Sequence, residues 1–363
     1  MSISDVAPAA DPRDWSRVQL AQNDPRVVSD APLPVDPAPP RRLSRRAQRR
    51  NLRRGIQEPI PHSREAMVGQ AEPPAPTSFE SLAPEAPSAP RAIVHRDQPS
   101  IDGGHPRQRF DIRLPEGCAG GGLPLVVWIH GPDWRTGSKA ECPVAWLVER
   151  GYAVASIGYR TSDVAVFPAQ LDDCRAAIAS LVSDADVWGI DPARVCVAGS
   201  GAGGHLAALI GFEPHEAGPI RAASTDAAAH DVNVPAAVIV IDAPVHLTTL
   251  GPAADRAGSA ASRLVGGPLP EFREAAQRAS PLVHVSADDP PTLIVHGAHC
   301  SAVPLDQATR LDRALEAAGV DRSLVIIEDA ADATPTQGSR ASDSLVRFLD
   351  RAIGPGAARS RGE

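Results

Sequence analysis

Four short segments of the chain carry the residues that could do chemistry, and each follows a stretch of apolar residues. They are HGPDW (130–134), GSGAGGH (199–205), HGAHC (296–300) and DAAD (329–332). A serine between closely spaced glycines, with a histidine and an acid on other loops, is a common arrangement for nucleophilic attack on an ester carbonyl. In the glycine-rich segment, however, the residue centred between Gly199 and Gly203 is Gly201, which has no side chain. The serine of this segment, Ser200, lies one position earlier.

The apolar stretches before these segments predict the strands of a parallel sheet. Near-continuous apolar runs, typical of strands buried on both faces, occupy residues 123–131, 152–159, 195–199, 236–242, 292–297 and 323–328. Alternation at 107–114 predicts a half-buried strand. Helical segments are expected at 140–150, 168–182, 202–212, 305–318 and 339–352, and a helical and loop-like stretch at about 249–285. The alternation predicts an α/β fold with a mostly parallel, doubly wound sheet and a ligand site at the carboxyl ends of its strands.

The order of these segments resembles the α/β-hydrolases, specifically the bacterial carboxylesterase branch near the hormone-sensitive-lipase-like and feruloyl-esterase-like enzymes. The matching blocks are ERGYAVASIGYR (149–160), DCRAAI (173–178), GSGAGGHLAAL (199–209), ASPL (279–282) and DDPPTLIVHG (288–297). The resemblance covers residues 93–352. It implies the α/β-hydrolase fold with helices on both faces of the sheet, little or no cap, and a family chemistry of serine-dependent ester hydrolysis.

The resemblance also implies that the catalytic triad is substituted in this chain. The family nucleophile falls on Gly201, the acid on Cys300 and the base on Asp332. The family base follows the final strand, yet the last histidine of the chain is His299. Taking Ser200 as the nucleophile would place alanines at the two flanking positions, where the crowded turn needs glycine.

The loop that would hold the developing oxyanion, His130, Gly131, Pro132 and Asp133, differs from the family's HGGGW pattern as well. Pro132 has no N–H to donate. We expect Asp133 to bring a carboxylate toward a site that must stabilise negative charge, which opposes catalysis. The sequence therefore predicts a carboxylesterase-like pseudoenzyme that is catalytically inactive and binds a small molecule or a protein partner.

A binding site at the same place is expected to survive. The N–H groups of Gly201, Ala202 and Gly203 open a helix and attract anions, such as a carboxylate or ester-like ligand. The missing side chain at position 201 should leave the pocket roomier, with Trp134 nearby, for an ester, a carboxylate or a phenolic compound. Because the carboxylates of Asp133 and Asp332 would repel an anion, a neutral or cationic ligand is an equal alternative.

Two other activities stay open at this point. A hydrolase with non-standard residues could use Ser200 or Cys300, although Ser200 is expected in the packing between sheet and helix and Cys300 to be a bystander. Metal ligation by His299, Cys300 and Asp332 offers only three candidates on two loops, so neither a metal nor another cofactor is predicted.

The first 90 residues differ in composition from the rest. They hold 16 of the 37 prolines and show no periodicity, which predicts a disordered tail. Between Arg41 and Arg54 lie eight arginines and no acid, so this segment is either a solvated charge run or a contact for an acidic partner, RNA or an anionic membrane. A third hypothesis is an interaction protein that acts through this tail. Residues 91–353 are predicted to form the hydrolase domain and 354–363 a flexible C-terminal tail.

Charge and cysteine content exclude several classes. A net charge of −8 argues against a generally nucleic-acid-binding surface. The odd, scattered set of cysteines lacks a CxxC pair and predicts reduced thiols, with a Cys142–Cys174 bond left open; the set is Cys118, Cys142, Cys174, Cys196 and Cys300. We expect a cytoplasmic protein without a membrane span, because the chain shows neither a secretory signal nor an apolar run of about 20 residues.

Overall fold

A computed structural model describes residues 92–117, 121–213 and 235–354 of the chain. The described residues belong to one compact unit within Leu82–Glu363. The predicted tail at 1–90, its arginine-rich segment and Cys118 lie outside the described residues, as does the end of the chain from residue 355. The predicted domain boundaries therefore stay predictions.

The described part is organised around an eight-stranded sheet with the order β1-β2-β4-β3-β5-β6-β7-β8. Its strands are β1 (Ala92–Pro99), β2 (Arg109–Pro115), β3 (Leu123–Ile129), β4 (Ala153–Ile157), β5 (Ile190–Ser200), β6 (Ala237–Ile241), β7 (Thr292–Gly297) and β8 (Arg322–Ile327). Strand β2 pairs antiparallel with β1 and with β4, and all other pairs are parallel. The predicted α/β architecture with a mostly parallel sheet is confirmed.

The strands that could be predicted from the sequence are those that are buried or half-buried in the structure. Every residue of β4 and of β6 is buried, because both are central strands covered on two faces. Strand β1 was not predicted. Its sequence AIVHRDQP has no apolar alternation and is almost entirely exposed, since it is an edge strand held by its pairing with β2.

Seven α-helices cover the sheet in the described ranges. They are α1 (Ala169–Ser183), α2 (Ala185–Trp188), α3 (Ala202–Phe212), α4 (Ala260–Val265), α5 (Arg273–Arg278), α6 (Leu305–Ala318) and α7 (Arg340–Ala352). Short 3-10 helices span Ala145–Arg150, Leu247–Thr249 and Pro281–His284. The α-helix predicted at 140–150 is wrong. Pro143 disfavours helical backbone at the residue before it, and only the 3-10 helix forms after it.

The helices bury two separate apolar clusters on opposite faces of the sheet. One contains Leu171 of α1, Leu206 of α3 and Leu311 of α6. The other contains Leu147 of the first 3-10 helix and Phe348 of α7. The strands that lead to the carboxyl edge of the sheet are therefore packed on both faces. No helix in the described residues is long and apolar enough to cross a membrane.

Candidate functional site

A cavity of about 650 Å³ lies at the carboxyl ends of the parallel strands. It is lined by residues that follow five different strands, among them His130, Gly131, Pro132, Ser200, Gly201, Asp242, Cys300 and Asp332. The structure therefore brings together all three positions where the resemblance places the triad, along with part of the oxyanion loop. Asp133, Trp134, Ala202, Gly203 and His299 are not among the lining residues.

Gly201 occupies the apex of the turn between β5 and α3. Its φ of 57° and ψ of −119° lie where residues with a Cβ are strained, whereas glycine adopts them freely. Its N–H donates to the Ile241 carbonyl at 2.9 Å, and its carbonyl accepts from the His205 N–H at 3.0 Å. The position that would present a nucleophile thus carries no side chain.

Close backbone approach explains the other glycines of this turn. A Cβ on Gly203 would lie 1.9 Å from the Ile129 carbonyl oxygen, so the first turn of α3 packs directly on the end of β3. A Cβ on Gly131 would lie 2.2 Å from the Ser200 carbonyl oxygen. These contacts fix the oxyanion loop against the turn.

Two expectations about the turn are wrong. Ser200 is half-buried and lines the cavity, because it is the last residue of β5 and lies beyond the tightly packed strand. The site is also not roomier at Gly201: a Cβ there would lie 3.1 Å from the Pro132 carbonyl oxygen and 3.2 Å from its Cα. With no Cβ at position 201, the backbone of Pro132 packs directly against this glycine.

The side chain of Asp133 forms hydrogen bonds within its own turn, in contrast to the expectation that it faces the site. Its Oδ1 accepts hydrogen bonds from the Arg135 N–H at 3.1 Å and from the N–H and hydroxyl of Thr136, both at 2.8 Å. Partial burial raises the pKa of Asp133, but the bonds from Thr136 and Arg135 outweigh it and leave the pKa below its ordinary value. The ionised carboxylate is therefore engaged outside the cavity.

His130 lies in the cavity wall as a neutral ring. It is 2 % exposed and stacks on Tyr159, with ring centroids 4.4 Å apart. Burial, with the nearby charge of Arg107, lowers the pKa of His130 to about 4. Within the described residues, neither ring nitrogen has a hydrogen-bond partner.

His205 has both ring nitrogens engaged. The Trp134 Nε1–H donates to His205 Nδ1 at 3.1 Å, so His205 Nε2 carries the proton and donates to the Ala279 carbonyl at 2.6 Å. Burial lowers the pKa of His205 to about 4. This histidine joins the oxyanion loop to α3 and to the segment before Ser280, and it has no free nitrogen to act as a base.

The loops after β7 and β8 carry the remaining predicted positions. Cys300 is half-buried and its thiol is free. Cys142 and Cys174 are also free, so the disulfide left open by the sequence does not form. Asp332 is exposed, and its Oδ1 accepts from the Thr334 N–H at 2.8 Å. His299 is exposed and is not a lining residue.

Asp242 is a site residue that sequence reasoning missed. It follows β6, is 6 % exposed, and has a positive φ of 44°. Its Oδ1 accepts from the Gly297 N–H at 2.8 Å and its Oδ2 from the Ala333 N–H at 2.6 Å, which ties together the loops after β6, β7 and β8. The sequence did contain a feature that indicates this residue: an acid at the end of the apolar run 236–242 is expected at the carboxyl edge of the sheet.

The lining residues set the sign of the electrostatic potential in the cavity. Glu141, Asp242 and Asp332 contribute carboxylates, and no lysine or arginine is among the lining residues of the described chain. Such a lining disfavours an anion and favours a neutral or cationic ligand.

Comparisons with known proteins agree with this architecture. The BD-FAE family model matches residues 110–315. In Mycobacterium tuberculosis, the probable carboxylic ester hydrolase LipM is 30% identical over 54% of this chain and 46% of its own length. Esterase LipC of the same organism is 28% identical over 65% of this chain and 58% of its own length. The matched part thus spans about half the length of these relatives.

Solved structures show the same fold. A truncated carbohydrate esterase from gut microbiota superposes with a TM-score of 0.62 at 24% identity, covering 73% of this chain and 98% of its own. Esterase B from Lactobacillus rhamnosis gives a TM-score of 0.57 at 19% identity, covering 73% of this chain and 87% of its own. With the family model matching more than half of the residues, the chain belongs to the BD-FAE family and is a carboxylesterase-like α/β-hydrolase.

Proposed function

We propose that this protein does not hydrolyse esters and instead binds a neutral or cationic small molecule in the cavity at the carboxyl edge of its sheet. The observation that carries the proposal is Gly201 at the apex of the turn between β5 and α3, with the backbone geometry of that turn intact. A covalent acyl-enzyme needs a hydroxyl or thiol at this apex, and glycine supplies neither.

The rest of the machinery supports the same conclusion. The base position is Asp332, and no histidine follows it in the chain. His205 has both ring nitrogens engaged. The oxyanion loop has Pro132 in place of an N–H donor, and losing one such donor typically costs about 10²–10³ in rate. Nucleophile, base and oxyanion donor are thus all affected.

One observation favours a second candidate, a hydrolase with non-standard residues. Ser200 and Cys300 both line the cavity, and so does the uncharged ring of His130. If either side chain attacked an ester, its removal would abolish turnover. The two candidates differ in a single measurable quantity, which is ester hydrolysis by the unmodified protein.

The deciding experiment is an assay of purified protein on short-chain p-nitrophenyl esters beside Ser200→Ala and Cys300→Ala. We expect the unmodified protein to stay at the background rate, with both variants indistinguishable from it. Turnover by the unmodified protein that disappears in either variant would refute the proposal. A thermal-shift screen of neutral esters, phenolics and amines, with carboxylates as the matched anionic set, then tests the ligand class.

Two further hypotheses lie outside what the described residues can support. A cytoplasmic location stays a prediction from the sequence. Binding of RNA, an acidic partner or an anionic membrane by the segment Arg41–Arg54 also stays a prediction, and comparing the full chain with one that lacks residues 1–90 would test it.

A further inference from the structure

The carboxyl ends of β6 and β7 and the loops that follow them place three metal-ligating side chains together beside the cavity. Asp242, His296 and Cys300 each offer one ligand atom, and these atoms all lie within 4.8 Å of one another. Asp242 and His296 are buried and Cys300 is half-buried. Cys300 also occupies the family's acid position, but metal binding by these three side chains does not depend on the proposed absence of ester hydrolysis.

Hydrogen bonds prepare His296 as a ligand. Its Nε2 lies 3.1 Å from the Val303 carbonyl oxygen, which can only accept, so Nε2 carries the proton. In the neutral ring, the lone pair is then on Nδ1, 3.6 Å from Asp242 Oδ1, which is beyond hydrogen-bond distance. Fixing the tautomer of a histidine through a backbone carbonyl is a usual outer-shell feature of metal sites.

Asp242 is prepared in the same way. Each of its oxygens accepts one backbone N–H, from Gly297 and from Ala333, and each keeps a further lone pair. These bonds hold the carboxylate in place beside His296. Two of the three ligand residues thus have their orientation set by the backbone before any ion arrives.

The distance between the His296 and Asp242 ligand atoms is close to that expected around a tetrahedral ion. Zinc bonds of about 2.0–2.1 Å to nitrogen and oxygen place those two atoms roughly 3.3–3.4 Å apart at a tetrahedral angle. The observed 3.6 Å between His296 Nδ1 and Asp242 Oδ1 is close to that edge. A sulfur, a nitrogen and an oxygen ligand together suit zinc better than magnesium or calcium, which prefer oxygen alone.

We propose that Asp242, His296 and Cys300 bind one zinc-like divalent cation at the cavity wall. With Cys300 as thiolate and Asp242 ionised, the two negative charges balance the cation. Asp242 and Cys300 line the cavity while His296 lies behind them, so the ion keeps one side open to the cavity. A neutral donor atom of a bound molecule can occupy that open position.

The test uses the full chain without an affinity tag, stripped of metal and kept reduced with a phosphine. Cobalt(II) is titrated first, because a thiolate ligand gives a charge-transfer band in the near ultraviolet, and zinc is then added to displace it. Cys300→Ser is the test variant, since it is nearly isosteric and half-buried. Cys142→Ser is the matched control, because Cys142 lines the same cavity but lies outside the cluster.

We expect one cobalt ion per chain with a thiolate band in the unmodified protein and in Cys142→Ser. Cys300→Ser should lose the band and weaken zinc binding by at least the roughly 10–100-fold that outer-shell substitutions cost. Thermal unfolding of the metal-free proteins checks that both variants fold. A band that persists in Cys300→Ser, a band lost in Cys142→Ser, or no stoichiometric binding by the unmodified chain would each overturn the proposal.

Discussion

Restoring the three triad positions should give little ester hydrolysis unless Pro132 is changed as well. The triple variant Gly201→Ser, Cys300→Asp, Asp332→His replaces the missing groups, but its oxyanion loop still lacks an N–H at position 132. One such donor is worth about 10²–10³ in kcat, or about 2.7–4 kcal/mol. Adding Pro132→Gly should therefore raise kcat on p-nitrophenyl acetate by about that factor over the triple variant.

The packing at Gly201 adds a steric reason. A serine Cβ would lie 3.1 Å from the Pro132 carbonyl oxygen, tighter than ordinary van der Waals contact, and at a φ of 57°. We expect Gly201→Ser alone to lower the free energy of unfolding by about 1–3 kcal/mol, the usual cost of such a backbone conformation. Pro132→Gly should recover part of this loss, because the loop can then move back.

The assay needs one matched control. The quadruple variant with Gly201→Ala in place of Gly201→Ser keeps the Cβ and removes only the hydroxyl, so it should stay at the background rate. If the triple variant is as active as the quadruple one, Pro132 does not limit the oxyanion loop and the reasoning fails. Equal activity of the alanine control would show that the hydrolysis does not pass through position 201.

Three further predictions concern stability, measured by urea unfolding. The pKa of His130 and the pKa of His205 are both lowered to about 4, so below pH 6.5 the unfolded state binds more protons than the folded state. The free energy of unfolding should therefore be at its full value above pH 6.5. It should fall by on the order of 3 kcal/mol per histidine as the pH drops to 4. The loss should be smaller in His205→Gln, and an unchanged pH profile would contradict this assignment. Trp134→Phe should lower the free energy of unfolding by about 1–3 kcal/mol, because it leaves His205 Nδ1 buried without a donor. An unchanged free energy of unfolding would show that a water replaces the Trp134 N–H. Gly203→Ala should lower the free energy of unfolding by more than about 3 kcal/mol or prevent folding, because the alanine Cβ would lie 1.9 Å from the Ile129 carbonyl oxygen. A loss within about 1 kcal/mol would mean that α3 can shift away from β3.

The elements that the sequence predicted best are those in which local pattern and tertiary burial agree. Helix α3 begins and ends at the predicted residues, 202 and 212. Gly201 forms the turn before it, and all of its residues are apolar or small except the buried His205. Strands β4 and β6 were evident from continuous apolar runs. Edge strand β1 was missed because its conformation depends on pairing with β2, which leaves no apolar pattern.

At the site, the resemblance predicted positions that lie near one another, but it could not predict the orientation of the side chains. Gly201, Cys300 and Asp332 do line one cavity. Asp133 was expected there too, but three hydrogen bonds within its own turn hold its carboxylate away from the cavity. The spacing of residues in the sequence does not reveal that the N–H groups of the turn bind this carboxylate. Asp242 was missed because its partners Gly297 and Ala333 are distant in sequence and meet it only through the strand order.

The substitutions in the cavity are physically coupled, which bears on the proposed absence of ester hydrolysis. Gly201 lets the Pro132 backbone approach to a distance that a serine Cβ would oppose, so nucleophile and oxyanion loop cannot be restored independently. Cys300 lies beside the buried carboxylate of Asp242, where an aspartate would add a second negative charge at close range. The cavity is therefore poorly suited to stabilise an oxyanion, while its carboxylates, thiol and preoriented imidazole are well suited to a cation. The proposed binding role rests on that chemistry: the cobalt titration tests the binding of a cation, and the ester assay separately tests the absence of hydrolysis.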